Sequence, residues 1–342
     1  MRWMPIDSLT LRFTGQSTFR APHPDETSAT RVTALQYVNQ AGAFKAVDIS
    51  GNTNLDPEQA TTYNFGFITD FGTDSWTATL DFYEFDFDNP IIIENHQQLM
   101  NAYAAGGAAK AAVQSQIYSG TPLVNDGSFG AGAVGRIAAN FVNGPRTVTN
   151  GVDLFVEYET DYADGMITAG LEANYVAKYS VDAYFKGTTK VADAYECDGF
   201  FNINNPCRPI PTMKGKAFVN YRTDAHNFYG AVNYISAYDD RRSSREINAH
   251  TTVDATYTYT WDDAFDISLS VYNLTDEQPP FTVWEMNYDA YTHSPGIGKT
   301  HTSYLDILHN HLSTDGGKTS PLGYLQTDEK GRGQTQYSII PN

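Results

Sequence analysis

The chain has 342 residues, with 22 Lys and Arg against 40 Asp and Glu, a formal charge of -18 and a pI near 4.6. So acidic a chain is poorly suited to neutralise phosphates, which argues against nucleic acid as a partner. Mean hydropathy is -0.41, and no apolar run approaches the roughly 18 residues of a membrane-spanning helix. A spanning β-barrel is not excluded, because its apolar residues are interleaved with polar ones.

In chain order, the pattern predicts ten strands, near 8–17, 59–70, 76–87, 148–160, 166–180, 213–222, 227–238, 250–260, 265–274 and 299–308. Four segments carry the alternation most plainly. Segment 148–160 sets Val148, Val152, Leu154, Val156 and Tyr158 against Asp153, Glu157 and Glu159. Segment 167–179 sets Ile167, Ala169, Leu171, Ala173, Tyr175, Ala177 and Tyr179 against Thr168, Gly170, Glu172, Asn174, Val176 and Lys178. Segment 251–259 sets Val253, Ala255, Tyr257 and Tyr259 against Thr252, Asp254, Thr256 and Thr258. Segment 265–271 sets Phe265, Ile267, Leu269 and Val271 against Asp266, Ser268 and Ser270. Successive strand side chains point to opposite faces, so each strand has one apolar and one polar side. Charge is kept off the apolar side, where facing lipid at mid-membrane would cost about 2–4 kcal/mol. The reading makes Glu157, Glu172 and Asp254 candidates for the lumen, with Val152, Leu171 and Val253 facing outward. A soluble β-sandwich also alternates, and single strands do not separate the two architectures.

The gaps do separate them. Short turns are expected at 72–75, 162–165, 223–226 and 261–264, and long connections at 19–58, 88–147, 181–212, 239–249 and 275–298. An outer-membrane barrel has tight turns on one rim and long loops on the other, whereas a sandwich has no reason to alternate them. Aromatics gather at strand ends: Phe71, Trp76, Trp261 and Phe265 by the short turns, and Phe85, Phe87, Tyr179 and Tyr238 by the long loops. That suggests two interfacial girdles. The acid excess is assigned to loops and lumen, and a solvated acidic surface accounts for it equally well.

The longest connection contains Leu99, Tyr103, Gly106, Lys110, Val113 and Ile117 at weakly helical spacing within 97–118. A loop helix or lid and an unstructured Ala/Gly-rich loop both fit. Cys197 and Cys207, the two cysteines, lie in one polar, turn-rich loop. In an oxidising compartment they would pair, contributing about 2–3 kcal/mol in the chain-entropy model. Two free thiols are the alternative. His293, His301, His309 and His311 could suggest a metal, but two of them sit in the atypical tail, and no metal or other cofactor is expected.

Five segments carry a resemblance. Residues 9–22, LTLRFTGQSTFRAP, resemble the strand ending in FRAP of TonB-dependent outer-membrane receptors. Residues 51–64, GNTNLDPEQATTYN, resemble the element that opens that family's next strand. Residues 150–154, NGVDL, resemble its GxD strand start. Residues 269–281, LSVYNLTDEQPPF, resemble its NLxDxxPP element. Residues 288–295, YDAYTHSP, resemble the stretch before its last strand. They fall in the family's order. Each also has a physical reading: Pro22 and Pro57 lack an N–H and bound ladders, and residues 273–280 end a strand with turn-formers and a Pro pair.

The resemblance implies an all-β fold, an antiparallel meander forming the last ten or so strands of a 22-stranded transmembrane barrel, around a plug domain. The plug, the TonB-engaging motif and the first strands are outside this sequence. The opening MRWMPID is not a charged start followed by an apolar run, so no export signal is expected in it. The chain thus reads as a fragment, with a partial barrel over 1–308 and a polar tail over 309–342. A change of reading frame near 296–301 and a natural extension are the two origins considered for the tail, and a disordered tail is the further alternative. The resemblance implies an outer-membrane location in a bacterium, lipid as a partner and the inner-membrane TonB complex engaged through the absent region. It also implies a scarce small molecule as cargo: a siderophore, cobalamin or oligosaccharide. No nucleophile motif, phosphate loop or metal-binding helix pattern is present, so no enzymatic activity is expected. A soluble glycan-binding sandwich and a passive porin are the competing readings.

Overall fold

The computed structural model describes residues 1–71, 76–119, 134–201, 208–240, 244–261, 265–283 and 287–293, and the backbone of Tyr304–His309, Tyr324–Thr327 and Gly333–Gln336. One large antiparallel sheet dominates. Its strands pair in sequence order: β1 (Arg2–Ile6), β2 (Leu9–Arg20), β3 (Glu58–Phe71), β4 (Trp76–Asp88), β5 (Thr147–Tyr162), β6 (Gly165–Val181), β7 (Met213–Arg222), β8 (His226–Ile235), β9 (His250–Trp261) and β10 (Phe265–Val271). Backbone pairing continues through β11 (Tyr304–His309), β12 (Tyr324–Thr327) and β13 (Gly333–Gln336). The expected meander is therefore present, and among the described residues the sheet is open rather than closed on itself.

Among the described residues, four strands of this sheet exceed the expectation, one of them the short Tyr195–Glu196, which pairs with β6. β1 pairs with β2 through a register shift that hid its alternation, and β12 and β13 lie within the polar tail. The strand placed near 299–308 is Tyr304–His309.

Turns follow local chemistry. β5 and β6 join through Ala163 and Asp164, with Ala163 at φ 55°, the left-handed setting that two-residue hairpins need. Between β7 and β8, the Thr223 hydroxyl accepts from His226 N at 3.1 Å. The turn expected at 72–75, and residues 262–264 of the one expected at 261–264, lie outside the described residues.

The long connections are not slack. Strands Arg31–Val38, Ala43–Ser50, Val134–Ala138 and Ile117–Ser119 form a second sheet. Helices α1 (His96–Ala105) and α2 (Gly107–Val113) pack on it. Of the segment 97–118 read as helical, residues up to Val113 form helices, whereas Ile117 and Tyr118 belong to a strand. Asn95 caps α1, its side chain accepting from Gln97 N and Gln98 N, and Gly106 at φ +77° separates the two helices. Leu99, Met100, Val113, Ile117, Val38, Val47 and Ile137 are buried together. The principal apolar core among the described residues thus lies in the connections, because no second layer covers the large sheet among those residues.

Candidate functional site: the polar face and the rim above it

Side chains at paired positions of an antiparallel ladder point the same way. Glu157 pairs with Thr77 and Gly170, Gly170 with Phe218, Phe218 with Ala231, and Ala231 with Asp254. Glu172 pairs with Phe155 and Lys216. Counting by twos along each strand, Glu157, Glu172 and Asp254 share one face. Val152, Leu171 and Val253 share the other, since Leu171 pairs with Val156 and Ala217, and Val253 with Val232.

The second face is apolar and uncovered. Leu171 is 42% exposed, Val219 49%, Phe228 50% and Tyr175 50%. Phe13, Phe65, Phe82, Val232, Trp261 and Leu269 stand beside them on this face. On β2–β10 its charged residues are Glu84, Asp86, Asp88 and Lys178, all at the long-loop end. Near the short turns the rings touch: Trp76 and Tyr158 at 4.6 Å, Tyr162 and Tyr221 at 6.2 Å, Phe228 and Tyr257 at 4.8 Å, Tyr259 and Trp261 at 6.2 Å between centroids. One aromatic girdle is therefore evident, and Trp76 and Trp261 belong to it. The side chains of Phe71 and Phe265 lie outside the described residues.

The opposing girdle needs correction. Phe85 and Phe87 occupy odd positions of β4, in line with Asp81 on the polar face. Tyr179 is also on that face. Asn150 pairs with Lys178 but Gly151 pairs with Val176, so Ala177 is an extra residue in β6. A bulge reverses the alternation beyond it. Tyr238 is buried in the rim instead of lying on the outer face.

The polar face is knit across strands. Arg12 on β2 grips Asp81 on β4, with Nε donating to Oδ1 at 2.9 Å and Nη2 to Oδ2. The pair passes over Gly66 of the intervening β3. A Cβ there would stand 2.0 Å from Asp81 Oδ1 and 2.7 Å from Arg12 Nε. Asn174 donates to Asp153 Oδ1 at 2.6 Å and to Tyr83 OH at 3.2 Å. Between β9 and β10, hydroxyls meet in pairs: Thr256 with Ser270 at 3.0 Å and Thr258 with Ser268 at 2.8 Å. Asp153, Glu172, Asn174, Lys214 and Lys216 line an open depression of about 400 Å³. Both signs of charge are present there, with hydrogen-bonding groups between them.

At the long-loop rim the family-like segments become contacts. Arg20, from FRAP, donates to both Glu26 oxygens at 2.9 and 3.0 Å and also bonds Glu58, from the second segment. Glu58 in turn accepts from Ile91 N at 2.7 Å. Pro22 lies just past the end of β2, and Pro57 just before β3. Asp254 accepts from Asn233 Nδ2 at 2.7 Å and from Asn273 N at 2.9 Å. Asn273, from NLxDxxPP, also binds the Glu277 backbone through both side-chain atoms at 2.9 Å. That segment is a turn moored to the polar face.

Above the rim, Glu94 has a fully buried side chain. Its carboxylate accepts from Lys186 Nζ at 2.5 Å, Tyr184 OH at 2.9 Å and Asn140 N at 3.2 Å, and Gln116 Nε2 donates to it as well. Burial first, then the facing carboxylate, pushes the Tyr184 hydroxyl pKa upward. Glu94, Gln116, Lys186, Asn52, Ser115 and Asn140 border a cavity of about 430 Å³. Burial disfavours charge on Asp48, but the Thr33 hydroxyl at 2.6 Å and the Arg136 guanidinium at 2.8 Å outweigh it and hold its carboxyl below the usual range.

Cys197 is buried, donates N–H to Tyr179 O at 2.8 Å and is not a free thiol. Cys207 lies outside the described residues. So do His301, His311 and the side chain of His309, while His293 is buried beside His250. No group of three or more His, Cys, Asp or Glu suited to a metal occurs among the described residues.

The sequence profile described as "TonB dependent receptor-like, beta-barrel" matches residues 1–274. No curated protein sequence matches the chain. Among solved structures, a ferric enterobactin receptor point mutant from Pseudomonas aeruginosa, in complex with enterobactin, aligns at TM-score 0.53 and 14% identity, over 82% of this chain and 35% of that one. The siderophore receptor PirA from Acinetobacter baumannii aligns at TM-score 0.52 and 15% identity, over 82% and 36%. Such identities show a shared fold, and the chain spans about a third of the length of these structures. The family is one of outer-membrane transporters, not of enzymes. With its family-like segments in order and its meander in place, the chain belongs to the TonB-dependent receptor-like β-barrel family.

Proposed function

We propose that this chain is the C-terminal barrel part of an active importer of a bacterial outer membrane. Its apolar face meets lipid. The face bearing Glu157, Glu172 and Asp254 lines the lumen, and the long connections form the outward rim. The cargo is a scarce small molecule, with ferric siderophores the first class to test given the structural neighbours. Energy comes from a TonB complex engaged by a region not in this sequence. Residues 1–308 are the partial barrel and 309–342 an atypical polar tail, and Cys197 pairs with Cys207 to hold the loop after β6.

One observation carries the reading: nine paired strands, β2–β10, expose an apolar face while the opposite face is polar and hydrogen-bonded across strands. An uncovered apolar surface this wide marks an interface with something apolar. The sandwich alternative requires a second sheet over that face, and none lies over it among the described residues.

The test is a fusion. The plug and first strands of a siderophore receptor of this family are joined to residues 1–308 and expressed in a bacterium lacking its own receptor. Iron uptake from a panel of ferric siderophores that disappears without TonB supports the reading. An outer-membrane-inserted fusion giving TonB-independent leakage of small solutes would favour the porin alternative.

A further inference from the structure

Four buried side chains on the long-loop rim form a hydrogen-bonded chain: His250 at the start of β9, His293, Tyr238 and Asp289. The Tyr238 hydroxyl is 2.7 Å from Asp289 Oδ2, and a carboxylate can only accept, so the hydroxyl donates. The Tyr238 oxygen is then free to accept from His293 Nε2 at 3.3 Å. Neutral His293 with Nε2–H has a bare Nδ1, which faces His250 Nδ1 at 3.1 Å and accepts from it. Neutral His250 is left with a bare Nε2, and that atom is buried without a hydrogen-bond partner among the described residues. The geometry thus fixes both tautomers and the direction of every bond.

The chain ties a turn to the sheet. Asp289 Oδ1 accepts from Tyr291 N at 2.9 Å, and Asp289 O accepts from His293 N at 3.0 Å. Tyr238 and His250 belong to the rim, so their bonds to Asp289 and His293 moor residues 287–293. We propose that His250, His293, Tyr238 and Asp289 form a proton-sensitive latch, which holds residues 287–293 on the rim at neutral pH and releases them in acid. The chemistry stands on this geometry alone; that the rim faces the cell exterior rests on the transport reading.

Either histidine that takes a proton becomes a cation in a dry site, and two protonated rings would set N–H against N–H at the shared contact. Burial first, then His250, holds the His293 pKa down at about 4, with Lys214 of β7 acting in the same direction and Asp289 opposing. Asp240, at the end of the short strand Tyr238–Asp240, places its charge near Tyr238, and the Arg208 guanidinium lies 5.1 Å from the Tyr291 ring. The sign follows from linkage. A released histidine titrates near 6.5, so the docked turn binds protons less readily than the released one. Docking is strongest above pH 6.5 and weakens as pH falls toward 4. Between pH 7.5 and 5.0 the docked-to-released ratio should fall about 30-fold.

Hydrogen exchange of residues 287–293, corrected for intrinsic rates, reads this directly on the full chain in detergent micelles, with β8 and β9 as internal reference. The expected result is about 30-fold less protection at pH 5.0 than at 7.5, with the reference strands unchanged. In His293→Gln, which donates and accepts without titrating, that loss should shrink below about threefold. Unchanged protection in the wild type, or an undiminished loss in His293→Gln, would overturn the latch. If the variant does not fold, nitrogen-15 imidazole spectra of the wild type decide. A His293 midpoint well below 6 supports the proposal, and one at 6.5 overturns it.

Discussion

At the scale of single residues, Gly66 shows how this barrel wall is built. Arg12 and Asp81 stand two strands apart, so a residue on the strand between them must leave room for the pair to meet. In Gly66→Ala, the new methyl and the two charged groups cannot occupy the same space. Overpacking of this kind costs about 1–3 kcal/mol. The expected outcome is a lowered denaturation midpoint in detergent, with Asp81→Ala largely removing the extra cost of Gly66→Ala. A Gly66→Ala chain as stable as the wild type would show that the pair is not held there. The shared face of Glu157, Glu172 and Asp254 was legible in sequence, because a period of two is written into each strand. The Arg12–Asp81 pair was not, because it depends on register across three strands. Tyr179 was assigned to the wrong side for a related reason: one extra residue, Ala177, reverses the count.

At the scale of elements, the long connections were legible as long but not as structured. The helical spacing of Leu99, Val113 and Ile117 was visible, and all three are buried. Their partners Val38, Val47 and Ile137 come from distant segments, which no local pattern announces. Glu94 and Lys186 join two of these connections. Lys186→Met leaves the buried carboxylate without its cation, a loss of about 3–5 kcal/mol for such pairs. Limited proteolysis should then cut α1 and α2 much faster, and adding Glu94→Gln should restore much of the resistance. Equal protection in wild type and Lys186→Met would mean that the pair does not hold the connections together. The cysteine loop has its own test. Peptide mass spectrometry of exported, non-reduced protein should find Cys197 linked to Cys207, whereas two alkylatable thiols would refute the pairing.

At the scale of the whole molecule, we propose that this open sheet does not insert in a bilayer by itself unless it closes as a smaller barrel or pairs with another chain. Its two edges carry unpaired N–H and C=O groups, and each such group in hydrocarbon costs several kcal/mol, on the order of tens in all. Given an export signal but no further strands, the chain should therefore yield no heat-modifiable monomer in outer-membrane fractions. Such a band, with TonB-dependent uptake, would overturn that expectation. The family and the meander were legible because gap lengths and ordered segments survive at low identity. The cargo was not, because the segments that carried the resemblance are strand ends and turns, and these moor the rim without choosing a ligand.

The central claim is that one face of this sheet meets lipid and the other water. Nitroxide labels placed singly at each residue from 152 to 157, with the chain in detergent micelles, test it most directly. Collision with oxygen, which concentrates in the apolar phase, should peak at Val152, Leu154 and Val156. Collision with a water-soluble nickel chelate should peak at Asp153, Phe155 and Glu157. Accessibility to the two reagents without a two-residue period, or with the two sets of positions exchanged, would contradict the account.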